Sequence, residues 1–151
     1  MKKTIFYWSP CLNPVGTVKS TLNSAISLMK YNEEKFEVTL INAFGEWDEY
    51  INLLTKNNVK VIDFNFKFYK YLPKKGYLKS RISYLIIYFV CFIPLLRLIK
   101  NLKPDYLISH LITSLPLTIM FLIKSNTKFI LRISGMPKLN LIRKNFCKLL
   151  S

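Results

Sequence analysis

Ile5-Phe6-Tyr7-Trp8, then Ser9-Pro10-Cys11-Leu12-Asn13-Pro14-Val15-Gly16, then Val18, Leu22, Ala25, Ile26 and Met29 at helical spacing: this stretch decides the fold. The first run is β-branched or aromatic and too short for a helix, two prolines and a glycine interrupt the chain, and an amphipathic period of 3.6 follows. The order is strand, loop, helix. A first strand feeding a helix through a glycine-bearing loop opens many α/β domains, and it aims the helix's free N–H groups at whatever lies above the strand ends.

Working outward, Phe36 to Asn42 alternates as a second strand, and Glu46 to Lys56 predicts a helix that is acidic at its start and basic at its end. In that reading Glu46, Asp48 and Glu49 complement the helix dipole. Val59 to Phe64 predicts a third strand, and Asn65 to Gly76 an aromatic, lysine-rich loop. Tyr77 to Lys100 is the longest helical candidate, apolar nearly all round its middle, with a kink or break expected before Pro94 and cover expected on several sides. Tyr106 to Ser109 predicts a buried strand, Leu111 to Lys124 a short apolar helix, Lys128 to Ile133 a fifth strand, and Asn140 to Leu150 the start of another helix. The alternation of strands and helices specifies a Rossmann-like, three-layer α/β domain with a mostly parallel sheet.

The 151 residues fit one domain. Lys and Arg number 23 against 8 for Asp and Glu, so the formal charge is +15, yet 51% of residues are hydrophobic. A folded, strongly basic chain seeks an anionic partner, whether nucleic acid, a bilayer surface or a phosphorylated substrate. Cys11, Cys91 and Cys147 lie far apart and form neither a CxxC nor a Cys/His cluster, so no metal or disulfide framework is expected, and an odd count fits a reducing cytoplasm. The short apolar run Ile5-Phe6-Tyr7-Trp8 after Met1-Lys2-Lys3 is too brief for a signal peptide. Tyr84 to Ile99 is interrupted by Pro94 and Arg97, and Tyr106 to Ile123 contains Ser109, His110, Thr113, Ser114 and Pro116, so buried or membrane-surface elements are expected rather than spans.

Several residues stand where chemistry would be. The first loop has only Gly16 where a dinucleotide fingerprint needs three glycines, and no P-loop pattern is present, which argues against an NAD or P-loop site. Gly16 lets backbone approach a ligand, or is a turn glycine; Thr17 offers a capping hydroxyl. His110 follows the fourth strand at the ligand-binding edge, as a base, a hydrogen-bonding partner for a hydroxyl or phosphate, or an ordinary structural histidine. Arg132, read as part of the fifth strand, is expected to meet a carboxylate or phosphate, with Ser134 and Gly135 beside it. Lys67, Lys70, Lys74, Lys75, Lys79 and Arg81 are interleaved with aromatic residues between Phe64 and Arg81, a composition suited to an anionic bilayer surface or to a merely solvated basic face. No nucleic-acid motif accompanies them, so nucleic acid is not the expected partner.

Phe6 to Pro10 with Val15-Gly16-Thr17, Leu40-Ile41-Asn42-Ala43, Lys103-Pro104-Asp105-Tyr106-Leu107-Ile108-Ser109-His110, and Phe129 to Gly135 together resemble the N-terminal half of bacterial family 4 glycosyltransferases of GT-B fold. The resemblance implies an acceptor-binding domain spanning 1–151, with a C-terminal nucleotide-sugar-binding domain absent, so that this piece alone is expected to be inactive. It places Gly16 beside the donor diphosphate and His110 toward the acceptor or transferred sugar. It also implies a retaining, metal-independent transferase without a cofactor, using a nucleotide-sugar donor and a lipid-linked or cell-surface glycan acceptor in cell-envelope polysaccharide synthesis. The enzyme would be cytoplasmic and peripheral at the inner face of the membrane. The alternative is a non-catalytic basic protein held to the membrane by the 77–123 region.

Overall fold

A computed structural model describes residues 2–12, 16–73 and 77–132. Five strands form one parallel sheet in the order β3-β2-β1-β4-β5. They are β1 (Lys3–Trp8), β2 (Phe36–Asn42), β3 (Lys60–Asp63), β4 (Tyr106–Ser109) and β5 (Lys128–Leu131). The chain thus builds outward from β1 through β2 to β3, then returns to the other side of β1 for β4 and β5. The reversal makes the β1–β4 boundary, with Trp8 opposite Ser109, the switch point at which open α/β sheets leave a crevice.

Because strand side chains alternate, β1 serves both faces. Ile5 and Tyr7 join Val38 and Leu40 under α1 (Gly16–Asn32), which contributes Val18, Leu22, Ala25 and Met29, while α2 (Ile51–Lys56) adds Leu54. Phe6 and Trp8 join Ile41 and Leu107 beneath α3 (Tyr77–Leu102) and α4 (Ser114–Ile123). At the amino edge Asp105 locks β4 to β1: its carboxylate accepts the Thr4 N–H at 2.7 Å and the Thr4 hydroxyl at 3.0 Å, and these bonds hold its carboxyl below the usual carboxylate range. The Asp of the Lys-Pro-Asp run therefore has a structural task, at the end of the sheet away from His110.

Three expectations change here. The acidic cluster does not open an α-helix: α2 starts only at Ile51, after a 3-10 turn at Asp48–Tyr50. Glu46 instead folds back, accepting the N–H groups of Ala43 at 3.1 Å and Phe44 at 2.8 Å, while the Trp47 N–H donates to Asn42 Oδ1. Second, α3 continues undivided through Pro94 for 26 residues. Third, it is not covered on several sides: Ser83, Ile87, Cys91, Leu95 and Ile99 form one buried stripe, and the opposite face is open. The helix expected over Asn140 to Leu150 lies outside the described residues.

Candidate functional site

His110 stands directly after β4, its backbone N–H donating to the Trp8 carbonyl at 3.1 Å. The residue is 7% exposed and meets Tyr7 edge-on. Its Nδ1 lies 3.0 Å from the Thr21 hydroxyl of α1, which donates to the Thr17 carbonyl at 2.9 Å and also contacts the Ser9 hydroxyl at 3.2 Å. A threonine hydroxyl has a single proton. Spent on Thr17, that proton leaves Thr21 to accept from both Ser9 and His110, so the network assigns the imidazole hydrogen to Nδ1. Nε2 then carries a lone pair, and it is buried with no partner among the described residues. Burial first, and the Arg132 charge second, lower the His110 pKa to about 4, so the ring is neutral at pH 7. Such a nitrogen accepts a hydrogen bond from a hydroxyl. It cannot donate one to a phosphate.

Gly16 and Thr17 are the first two residues of α1, so Thr17 lies inside the first turn rather than at the capping position. The Thr21 hydroxyl, bonded to the Thr17 carbonyl, ties His110 to the first turn of α1. Gly16 is exposed, and a Cβ built on it meets nothing within 4 Å. Arg132 follows β5 instead of lying in it, is exposed, and reaches the Ser20 carbonyl at 3.4 Å rather than a carboxylate. Its backbone N–H donates to the Ser109 carbonyl at 2.9 Å. The guanidinium and the amino end of α1 thus put positive potential beside a neutral imidazole. Ser134 and Gly135 lie outside the described residues.

The basic stretch divides. Lys67 bridges Asp48 at 3.0 Å and Asp63 at 2.8 Å, so its charge is already matched, and Phe64, Phe66, Phe68 and Tyr69 pack inward on the core. Lys70, Lys79 and Arg81 are exposed, whereas Lys74 and Lys75 lie outside the described residues. What the sequence reading missed is α3's outer face. Leu78, Ile82, Leu85, Ile86, Phe89 and Ile93 recur at three- and four-residue steps there and are all exposed, and Leu78–Leu102 is long and apolar enough to cross a membrane. Also missed were Thr21 and Ser9, two hydroxyl residues among many, which only the folded chain brings to the histidine.

Comparison with solved structures supports the architecture. The chain superposes on CalG4, the calicheamicin glycosyltransferase, with a TM-score of 0.64 and 10% identity, over 98% of this chain and 36% of that one. A pantoate-beta-alanine ligase from Francisella tularensis superposes at 0.48 with 16% identity, over 95% and 65% of the two chains. No family model and no curated protein matches. The fold is therefore a Rossmann-like α/β fold of the kind found in a glycosyltransferase, and this chain spans about a third of that enzyme's length.

Proposed function

We propose that the chain is the acceptor-side domain of a glycosyltransferase, related to the family 4 enzymes, that moves a sugar from a nucleotide-sugar donor to a lipid-linked or cell-surface glycan. The observation that carries the reading is the His110 Nε2: a fixed, buried lone pair at the switch point, one helical turn from the Gly16 loop. In this reading the donor diphosphate lies against the first turn of α1, near Gly16 and Thr17, where backbone N–H groups and Arg132 favour negative charge. Nε2 accepts a hydroxyl proton's hydrogen bond from the reacting sugar or acceptor. The chemistry needs no metal or cofactor from these residues. Transfer from a panel of UDP- and GDP-sugars by the intact gene product tests the reading, with His110→Ala expected to lower turnover roughly 10²-fold, the low end for such groups. Unchanged kinetics in that variant would remove His110 from the site.

The open face of α3 favours a second, compatible reading: attachment to the cytoplasmic face of a membrane, with or without catalysis. Its exposed apolar residues are flanked by Lys79 and Arg81 at one end and Arg97 and Lys100 at the other, and the helix contains no acidic residue. Such a surface lies in the interfacial plane of an anionic bilayer, apolar side down, with about 1 kcal/mol added per basic residue at the surface. Co-sedimentation with phosphatidylglycerol vesicles should be lost in the Phe89→Glu/Ile93→Glu double variant. Retained binding would place the membrane contact elsewhere.

A further inference from the structure

A cavity of about 670 Å³, to which α1 lends Val18, opens among the segments that follow β1, β2 and β3. Its size falls in the roughly 300–1,000 Å³ range of small-molecule sites. Cys11 and Val18 form part of its lining, and the aromatic side chains of Tyr50, Tyr69 and Tyr71, from two different segments, form much of the remainder, with the buried Phe44 behind them. The polar lining is mixed in sign. Glu46, Asp48 and Glu49 face Lys67 and Lys70.

We infer that this cavity holds an uncharged, hydroxyl-rich ring, the sugar unit of the acceptor, with the tyrosine side chains against its C–H faces and Glu49 on its hydroxyl groups. The inference rests on the transferase reading for the word acceptor, though not for the chemistry of the ligand. Charge decides against the alternatives. In a chain of net charge +15, three of the 8 acidic residues line this one cavity, so an anionic group would be better placed almost anywhere else on the surface. A cationic group would find Asp48 already committed, since its carboxylate accepts from Lys67 at 3.0 Å and from Asn42 Nδ2 at 2.8 Å. Glu46 is 6% exposed and held in place by the Ala43 and Phe44 N–H groups. That leaves the exposed Glu49, which shares the lining with Lys70, to accept from the hydroxyl groups of a polyol. Tyr69 is set for its part by donating its hydroxyl to the Leu12 carbonyl at 3.2 Å, which fixes the ring beside the first loop.

Saturation-transfer NMR with methyl hexopyranosides tests this on the full chain, with glucose 6-phosphate and glucosamine as the anionic and cationic probes. Tyr71, 85% exposed, and Glu49, also exposed, are replaceable without disturbing the core, so Tyr71→Ala and Glu49→Gln report on the cavity and not on folding. The methyl glycosides should bind better than either charged probe and lose roughly three- to tenfold in affinity in each variant, the value of one ring or one hydroxyl contact. Charged probes binding as well as neutral ones, no glycoside binding at all, or glycosides binding both variants as tightly as wild type would each overturn the inference. If glycoside binding behaves as expected while no nucleotide sugar is turned over, the transferase reading falls and the sugar site stands. If turnover is present and the variants leave glycoside binding untouched, the reverse holds.

Discussion

His110 above β4 and Glu46 above β2 occupy matching places, each buried at the carboxyl edge of the same sheet within reach of the first loop, and the protein treats them differently. Glu46 is satisfied by the backbone of its own loop, through Ala43 and Phe44. His110 is gripped from a distant helix by Thr21 and keeps one nitrogen open. Burial makes both groups reluctant to ionise: the Glu46 pKa rises to about 7 and that of His110 falls to about 4. The difference teaches that burial alone does not mark a binding atom. The mark is burial combined with a partner on only one side.

The pH dependence of stability gives the sharpest way to break this comparison, because the two groups act with opposite sign. Between about 4 and 6.5 an unfolded chain protonates its histidine while the folded chain does not, so the His110 contribution is present above 6.5 and lost as pH falls. Between 4.5 and about 7 the folded chain keeps a proton on Glu46 that the unfolded chain has released, so that contribution is lost as pH rises. Where the windows overlap the slopes oppose each other, and the wild-type curve from urea unfolding should be nearly flat. Glu46→Gln should expose a stability that rises with pH, and His110→Gln one that falls, each by up to about 1.4 kcal/mol per pH unit. Parallel curves for both variants would mean that one of the two groups is not buried as described.

Thr21→Val sharpens the histidine side. The substitution keeps the shape and removes the hydroxyl on which Ser9, His110 and Thr17 converge, leaving buried polar groups without a partner. A loss of about 2 kcal/mol is expected in urea melts. The imidazole should also lose its preference for the Nδ1–H form, which ¹⁵N chemical shifts of the ring report directly. Thr21→Ser, which keeps the hydroxyl, should restore the tautomer.

The first strand, loop and helix were legible because two periods, 2 and then 3.6, meet at a proline- and glycine-bearing break, and the strand-end position of His110 followed from the same alternation. The loop after β2 misled for a physical reason. An acidic start and a basic end is the charge pattern of a helix dipole, yet in Glu46 to Lys56 it arises from a carboxylate folded onto its own loop and an ion pair to Lys67. Arg132 misled because apolar neighbours suggested a strand that in fact ends at Leu131. Hydropathy marked α3 as apolar all round but carries no information about which side the sheet will cover, so its open face became visible only in the fold.

Gly45→Ala probes the Glu46 side. Gly45 has φ +91°, where a side chain is strained, and its added Cβ would come within 3.2 Å of the Asp48 carboxylate. A cost of about 1–2 kcal/mol is expected. The loop should shift with it, so glycoside binding should weaken while the His110 ring shifts stay unchanged. A change at His110 would show that the two loops are coupled through α1 and are not independent.

The smallest effect belongs to Lys67, and its smallness is informative. Three oxygen contacts within hydrogen-bonding distance, to both Asp48 carboxylate oxygens and to Asp63, make it the most heavily partnered lysine among the described residues. The Asp63 bond, followed by the one to Asp48, raises its pKa, and the group stays charged at neutral pH. Its side chain is nevertheless 55% exposed, and pairs between exposed charges contribute roughly 0–1 kcal/mol because water and salt screen them. Lys67→Met should therefore cost no more than about 1 kcal/mol at low salt, with most of that cost gone at high salt, where the Debye length shrinks toward about 3 Å. Membrane binding should be unaffected by the same substitution, since this charge already faces two carboxylates and α3's outer face supplies the contact. If instead Lys67→Met releases the protein from anionic vesicles while leaving stability unchanged, the lysine exchanges its carboxylate partners for lipid phosphates at the bilayer. The loop after β2, rather than α3, would then be the part that meets the membrane.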